Sequence, residues 1–402
     1  MITLRNTVCR GALALSIALA AQPALAQDKP ADSTATTEAG AEVGEIIVTA
    51  QKRAENVQAV PLAVSVVGPA QLKAAGVAQF QDLTKVAPSL TIRPAEHPVN
   101  ANVSLRGVGT FAFGIGVEPS VAVLVDEVPL AFQARAFTDL PDVERIEVLR
   151  GPQSTLYGKS ASAGLINIIT RDPSSEFKIR ANALVTTDRE YGANFSASGP
   201  LSDQLGFVLS ASYSNWDGNV RNLFNGQRVN GRETFTTRAK LRWEPNASTK
   251  ITLSANYLKG NTSVGRPFIR FGAAAALRGV PGQTPAVTMP GVVVSADNQD
   301  VSNNFGASTT YSGGGGNLRG EFGIGDHTLI SITSYDTFRL DDYLDSDDTS
   351  ASTATGAAAA FVNNIQVGAF KSKLFTQELR LLSPGDKPFR YTLGAYYANL
   401  KF

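Results

Sequence analysis

From about residue 177 to residue 402 the chain repeats one pattern: apolar and polar residues alternate over stretches of roughly ten residues. Phe235, Thr237, Ala239, Leu241 and Trp243 share one parity, while Thr236, Arg238, Lys240 and Arg242 share the other. Leu205 to Tyr213, Ile251 to Tyr257 and Tyr391 to Tyr397 repeat it. A period of two places successive side chains on opposite faces of a strand, so each stretch reads as a strand with two unlike faces. The connections differ in length. Pro245-Asn246-Ala247 and Ser383-Pro384-Gly385-Asp386 are tight, whereas Pro267 to Asn304 and Asp341 to Gly368 are long. Long, even strands with short turns at one end and long loops at the other predict an antiparallel transmembrane β-barrel with a polar lumen. Trp216, Trp243, Tyr257 and Tyr397 then suit interfacial girdles. A soluble antiparallel sandwich also alternates, but has no need of that asymmetry.

The start of the chain has the layout of a secretory signal peptide over residues 1–26. Arg5 and Arg10 give a positive region, Gly11 to Ala21 a short apolar run, and Ala24-Leu25-Ala26 a small-residue cleavage site. Cys9, the one cysteine, falls inside it, so the exported chain does not rely on disulfides. Removing Arg5 and Arg10 takes the formal charge from +1 to −1, which gives no basic footprint for nucleic acid. Residues 27–44 are polar and without periodicity, and read as a disordered leader.

Residues 54–173 predict a small mixed α/β domain. Leu62 to Val67, Val121 to Val125, Val143 to Leu149 and Leu165 to Thr170 read as strands, and Pro69 to Leu83 as short helical turns. Gly107, Gly151, Gly158 and Gly164 sit where the backbone must turn sharply or approach another surface. Gly158-Lys159-Ser160 imitates the end of a phosphate loop, but six residues separate Gly151 from Gly158 where four are needed. His97 and His327 are far apart, with no cysteine or methionine cluster beside them, so neither a metal site nor a cofactor is expected. No catalytic constellation is visible, and the chain does not read as an enzyme. The acids Asp341-Asp342 and Asp347-Asp348 read as solvated loop surface.

The run Leu140 to Thr170, with Leu149-Arg150-Gly151-Pro152-Gln153, Leu156-Tyr157-Gly158 and Gly164-Leu165-Ile166-Asn167-Ile168-Ile169-Thr170, closely resembles the plug signature of TonB-dependent outer-membrane receptors. Val86 to Leu90, Val103 to Gly107 and Val123 to Pro129 follow the same pattern in the same order. The resemblance implies a plug domain over 54–173 and, over 174–402, the N-terminal part of a transmembrane barrel. About nine strands are counted there, fewer than the roughly 22 of large plugged transporters, so the barrel is expected to be truncated. Against that, Tyr396, Ala398, Leu400 and Phe402 alternate up to a terminal aromatic, as a complete barrel often does.

Residues 45–53 resemble the TonB box, so Glu45, Ile46, Ile47, Val48, Thr49 and Ala50 are the candidate TonB-binding residues, with a plain first strand of the plug as the alternative. The resemblance further implies active uptake of a siderophore-iron, vitamin or sugar ligand. The partners would be TonB with ExbB and ExbD, outer-membrane lipid and a small-molecule ligand, with the receptor as a monomer. A passive porin or structural barrel is the alternative function. Arg106 and Arg150 are single charges among apolar residues, and Glu378, sharing parity with Arg380, is their expected ion-pair partner on the barrel wall; exposure on the plug surface is the other reading. Plug loops Arg93 to Asn102, Thr110 to Glu118 and Leu130 to Phe137 are expected to face outward. There His97, Phe111, Phe113 and Phe132 are candidates for substrate contact or for loop packing.

Overall fold

The computed structural model describes residues 46–93, 101–110, 117–140, 142–270, 289–345, 348, 350 and 365–402. The expected signal peptide and leader, Glu45, His97, Phe111, Phe113 and Asp347 lie outside the described residues.

The N-terminal domain opens with two short strands, β1 (Ile47–Val48) and β2 (Glu55–Asn56), paired antiparallel. Then come β3 (Ala63–Val67), a helix α1 (Pro69–Ala74) and a 3-10 turn (Phe80–Lys85). The strands β4 (Leu90–Arg93), β5 (Asn102–Leu105) and β6 (Val108–Gly109) form a small three-stranded sheet. The main sheet adds β7 (Val121–Val125), β8 (Val128–Pro129), β9 (Val143–Arg150) and β10 (Gly164–Thr170), in the order β3-β9-β10-β7-β8. β10 runs parallel to β7 and antiparallel to β9.

Strand parity divides the core between the two faces of this sheet. Ile146, Val148, Ile166 and Ile168 point one way, toward Phe80, Leu83 and Val103. Leu149 and Leu165 point the other way, toward Val48 and Ala50. Gly107, Gly151, Gly158 and Gly164 all have positive φ. At Gly164 a Cβ would also run into the carbonyl oxygen of Leu149, so β9 and β10 approach as they do because the residue is glycine.

After β10 the described residues build one nine-stranded antiparallel wall. It consists of β11 (Lys178–Val185), β12 (Glu190–Ser202), β13 (Leu205–Trp216), β16 (Arg232–Asn246), β17 (Thr249–Val264), β19 (Ala307–Ile324), β20 (His327–Asp345), β21 (Ile365–Leu382) and β22 (Thr392–Lys401). The labels β14 (Val220–Asn222), β15 (Arg228–Val229) and β18 (Asp300–Val301) belong to a small sheet built from the long connections. Phe235, Leu241 and Trp243 are exposed on the outer face, while Thr234, Thr236 and Lys240 are buried on the inner face. That is the division a lipid-facing wall requires. The wall meets the N-terminal domain on its inner face, through polar contacts and one apolar cluster.

Asp341 and Asp342 lie on β20 rather than in a loop. Asp342 is buried and accepts a hydrogen bond from the Thr309 hydroxyl at 2.7 Å. The expectation of a solvated pair fails because the strand extends past the point where the alternation weakens.

Candidate functional site

The segment from Ile46 to Arg53 is held down along its length. Val48 and Ala50 are fully buried against Leu149, Leu165, Leu124 and Ala161. The Thr49 hydroxyl donates to Glu147 Oε2 at 2.8 Å, and its N–H approaches the same carboxylate at 3.2 Å. Asn167 Nδ2 donates to the Thr49 hydroxyl at 3.2 Å, and the Tyr157 hydroxyl donates to the Thr49 carbonyl at 2.9 Å. Glu147 is completely buried, and Arg145 at 2.9 Å supplies the counter-charge that makes its burial tolerable. Arg145, Glu147 and Leu149 share one face of β9, so the alternation of that strand already aims them at one neighbour. Ile46 and Ile47 are exposed.

Lys52 and Arg53 are fastened to the wall instead. Lys52, with φ of 59°, turns its ammonium to Glu378 at 2.7 Å and over the Tyr157 ring at 4.9 Å. Its carbonyl accepts from Arg380 Nη1 at 2.9 Å. Arg380 also pairs with Glu378 at 2.9 Å and with Glu127 at 2.6 Å, and Glu127 pairs with Arg319 at 2.6 Å. Arg53 donates to the carbonyls of Ser383 and Tyr391, both at 2.9 Å. Burial pulls the Lys52 ammonium below its ordinary range although Glu378 opposes this. Burial pushes Glu127 up, but Arg319 and Arg380 outweigh it and hold the carboxyl below its ordinary value.

Glu378 therefore faces the N-terminal domain, but its partners are Lys52 and Arg380, not Arg106 or Arg150. Arg106 stands on an exposed turn with φ of 52° after β5. Arg150, half-buried, donates to the Ala63 carbonyl of the neighbouring strand β3 at 3.3 Å. Local alternation gives the face of a strand but says nothing about which charge meets it from another domain.

A second set of contacts lies nearer the long connections. Arg135 is buried, paired with Asp336 of β20 at 2.5 Å and bonded to Asn256. It fits because β19 carries Gly313, Gly314, Gly315 and Gly316. A Cβ at Gly313 would lie 2.6 Å from Arg135 Nη1, and one at Gly315 would lie 2.8 Å from Asp336 Oδ2. Such a glycine run in a strand is the sequence signal of close approach, and it marks this contact. Beside it Phe132 packs on Phe370 at 4.7 Å between ring centres and on Phe338 at 6.4 Å, in a cluster with Ala134, Leu258 and Tyr311. The loop expected to face outward for substrate is thus a 3-10 turn (Gln133–Ala136) fixed to the wall, and Phe132 serves packing there. Burying these rings against the wall removes apolar surface from water, which an open loop would leave exposed. Asp139 accepts hydrogen bonds from Ser212, Ser214 and Thr234 of the wall at 3.3, 3.1 and 3.0 Å, and from Gln79 at 3.2 Å. At the other end Lys240 pairs with Asp172 at 3.2 Å and Asp126 at 3.4 Å.

Comparison with known proteins identifies the domain. A family model described as TonB-dependent Receptor Plug Domain matches residues 56–165. The chain carries a TonB-dependent receptor plug. The pesticin receptor of Yersinia pestis is 36% identical over 161 residues, covering 40% of this chain and 24% of that relative. The iron-regulated outer membrane virulence protein of Vibrio cholerae is 32% identical over 178 residues, covering 40% and 26%. The crystal structure of the ferric yersiniabactin uptake receptor FyuA from Yersinia pestis superposes with a TM-score of 0.66 at 23% identity, covering 84% of this chain and 48% of that one. That likeness extends the shared fold from the plug into the wall. The chain spans about a quarter of those curated relatives and about half of the FyuA chain. Plug and apolar-faced wall together make it an outer-membrane protein with part of a β-barrel.

Proposed function

We propose that this plug and wall serve energy-coupled uptake of a ferric siderophore, and that residues 45–50 are where TonB takes hold. The observation that carries the reading is the docked segment before the plug. Its first residues, Ile46 and Ile47, are exposed, while the rest is fixed to the plug at Glu147 and to the wall at Glu378. A short exposed strand adds readily to a partner's sheet edge through main-chain hydrogen bonds. Traction on Ile46–Ile47 would first unzip β1 from β2, then peel Thr49 from Glu147, and then meet Lys52 and Arg53 on the wall. Breaking a buried ion pair costs about 3–5 kcal/mol, so the clamp resists idle motion and yields to applied force. The siderophore class is supported by relatives such as the ferrienterobactin receptor of Escherichia coli K12, 35% identical over 101 residues. Transport rather than catalysis fits a site made of docking contacts.

Deleting residues 45–50 in the receptor and measuring uptake of radio-iron as ferric enterobactin or ferric yersiniabactin tests this. Uptake is expected to stop while ligand binding at the cell surface persists. Uptake that continues undiminished would mean passive flow and would overturn the proposal.

A further inference from the structure

The plug is fastened to the wall unevenly. Toward β17, β19, β20 and β21 it presents Phe132 and Ala134 in an apolar cluster with Leu258, Tyr311, Phe338 and Phe370, and Arg135 in the glycine notch against Asp336. At the ends of β13 and β16 near the long connections the contact is of another kind, the ion pairs of Lys240 with Asp126 and Asp172 lying at the other end of β16. Asp139 is buried, and its bonded partners on those strands are the hydroxyls of Ser212, Ser214 and Thr234. Beside it, between plug and wall at the end with the long connections, lies a cavity of about 790 Å³ lined in part by Gln79, Asn194, Trp216, Arg232 and Thr262. A hydroxyl–carboxylate hydrogen bond is exchanged for one to water at small net cost, whereas separating Arg135 from Asp336 strands two buried charges.

The covalent path from the N-terminal segment also leads to this side. Ala78 to Phe80 is tied to Thr138 to Leu140: Phe80 N–H donates to the Thr138 carbonyl at 3.2 Å, Leu140 N–H to the Ala78 carbonyl at 3.0 Å, and Gln79 to Asp139. Displacement of the early plug residues therefore loads Asp139 before it loads Arg135.

We infer that the turn from Phe132 to Ala136 is a fixed pivot, and that a solute with a hydrogen-bonding periphery passes on the neighbouring side, through the cavity beside Asp139 at the ends of β13 and β16 near the long connections. This rests on the transport reading above. Gln79, Asn194 and Thr262 in the lining can exchange hydrogen-bond partners with such a solute, whereas the Phe132, Phe338 and Phe370 rings of the pivot cluster have none to exchange; Tyr311 borders both. Residues 27–402 have no cysteine, so introduced pairs are unambiguous.

A short, reducible bifunctional thiol reagent is applied to the receptor in the outer membrane bearing either Asp139→Cys with Ser214→Cys or Ala134→Cys with Leu258→Cys, each link verified by mass. Uptake of ferric enterobactin and ferric yersiniabactin is then measured before and after reduction. The Asp139–Ser214 link is expected to stop uptake reversibly, and the Ala134–Leu258 link to leave it unchanged. A blocked pivot link, or free uptake with the cavity link in place, overturns the inference. Ser214→Trp fills the gap without a cross-link and is expected to reduce uptake at equal outer-membrane abundance; unchanged uptake counts against the route. A ligand-independent arm follows labelling of single cysteines by an impermeant thiol reagent in energised cells. Labelling at Ser214→Cys should rise on energisation while Leu258→Cys stays protected, and the reverse order overturns the inference. Absence of any uptake sensitive to deletion of residues 45–50 in the unlinked receptor would instead be a failure of the transport reading.

Discussion

A buried arginine needs a counter-charge and it needs room. Arg135 finds the first in Asp336 and the second in the missing side chain of Gly313. A Cβ there would stand 2.6 Å from Arg135 Nη1 and 2.8 Å from the Thr337 carbonyl, so one neighbour or the strand itself must move. Gly313→Val is expected to lower the unfolding midpoint and expose the plug to trypsin, with an overpacking cost of about 1–3 kcal/mol. Gly306→Ala, where an added Cβ meets nothing within 4 Å, is the control. Equal behaviour of the two variants would remove the notch from the argument.

Glu127 makes a pH prediction at the same scale. It faces Arg319, Arg380 and, more distantly, Lys52, and the arginines hold its carboxyl below the ordinary 4.5 despite burial. A depressed folded-state value stabilises above the ordinary value and is lost as pH falls through the depressed one. The destabilisation caused by Glu127→Gln should therefore be full at neutral pH and shrink in acid. A gap in thermal midpoint that stays constant from neutral pH into acid would refute the assignment. Asp139 has the opposite sign. Burial raises its carboxyl above 3.8 against the hydrogen bonds from Thr234, Ser214, Gln79 and Ser212, so its contribution is present in acid and lost as pH rises through the raised value.

At the scale of elements, the alternation that marks β9 explains the docking of the first strand. Arg145, Glu147 and Leu149 point to one side, and Asn167 on β10 joins them through the register Asn167↔Glu147. Thr49 then supplies a hydroxyl that donates to Glu147 and accepts from Asn167. Thr49→Val leaves both partners short of a bond, at about 1–3 kcal/mol, while Thr49→Ser keeps the hydroxyl. Hydrogen exchange at the Val48 to Ala50 amides should quicken in the valine variant and not in the serine variant; no change in either would sink the claim that Glu147 holds the segment. The same comparison shows what the sequence makes legible. Strand parity fixed the inward aim of Glu378 and Arg380, since every second residue of β21 must share a face. It could not choose Lys52 over Arg106 or Arg150 as the partner of Glu378, because that choice is made by how two domains meet across more than three hundred residues. The glycine run of β19 did carry a signal, a strand with no side chains where another group must enter. Read in isolation, though, it does not say what enters.

At the scale of the whole molecule, direction of travel sets a condition on closure. Nine successive antiparallel strands leave β11 and β22 at the two edges, and counting reversals shows that both run the same way. Joining these edges directly would pair two parallel strands in a barrel otherwise antiparallel throughout. A second copy inserted in the same sense brings the same strand directions to the seam and fails for the same reason. Antiparallel closure therefore needs an odd number of strands between β22 and β11, and a total of about 22, as in plugged transporters, leaves an odd remainder. Unpaired edges in a bilayer expose backbone groups that lipid cannot satisfy, so an open wall has no stable place there. Residues 27–402 refolded in detergent should accordingly lack the compact, heat-sensitive form that closed barrels show on an unheated gel. Extending the chain after β22 by strands that bring an odd number to the seam should restore that form, and an even number should not. A compact heat-sensitive band from residues 27–402 by themselves would show that β11 and β22 tolerate a parallel seam, and the parity argument would fall.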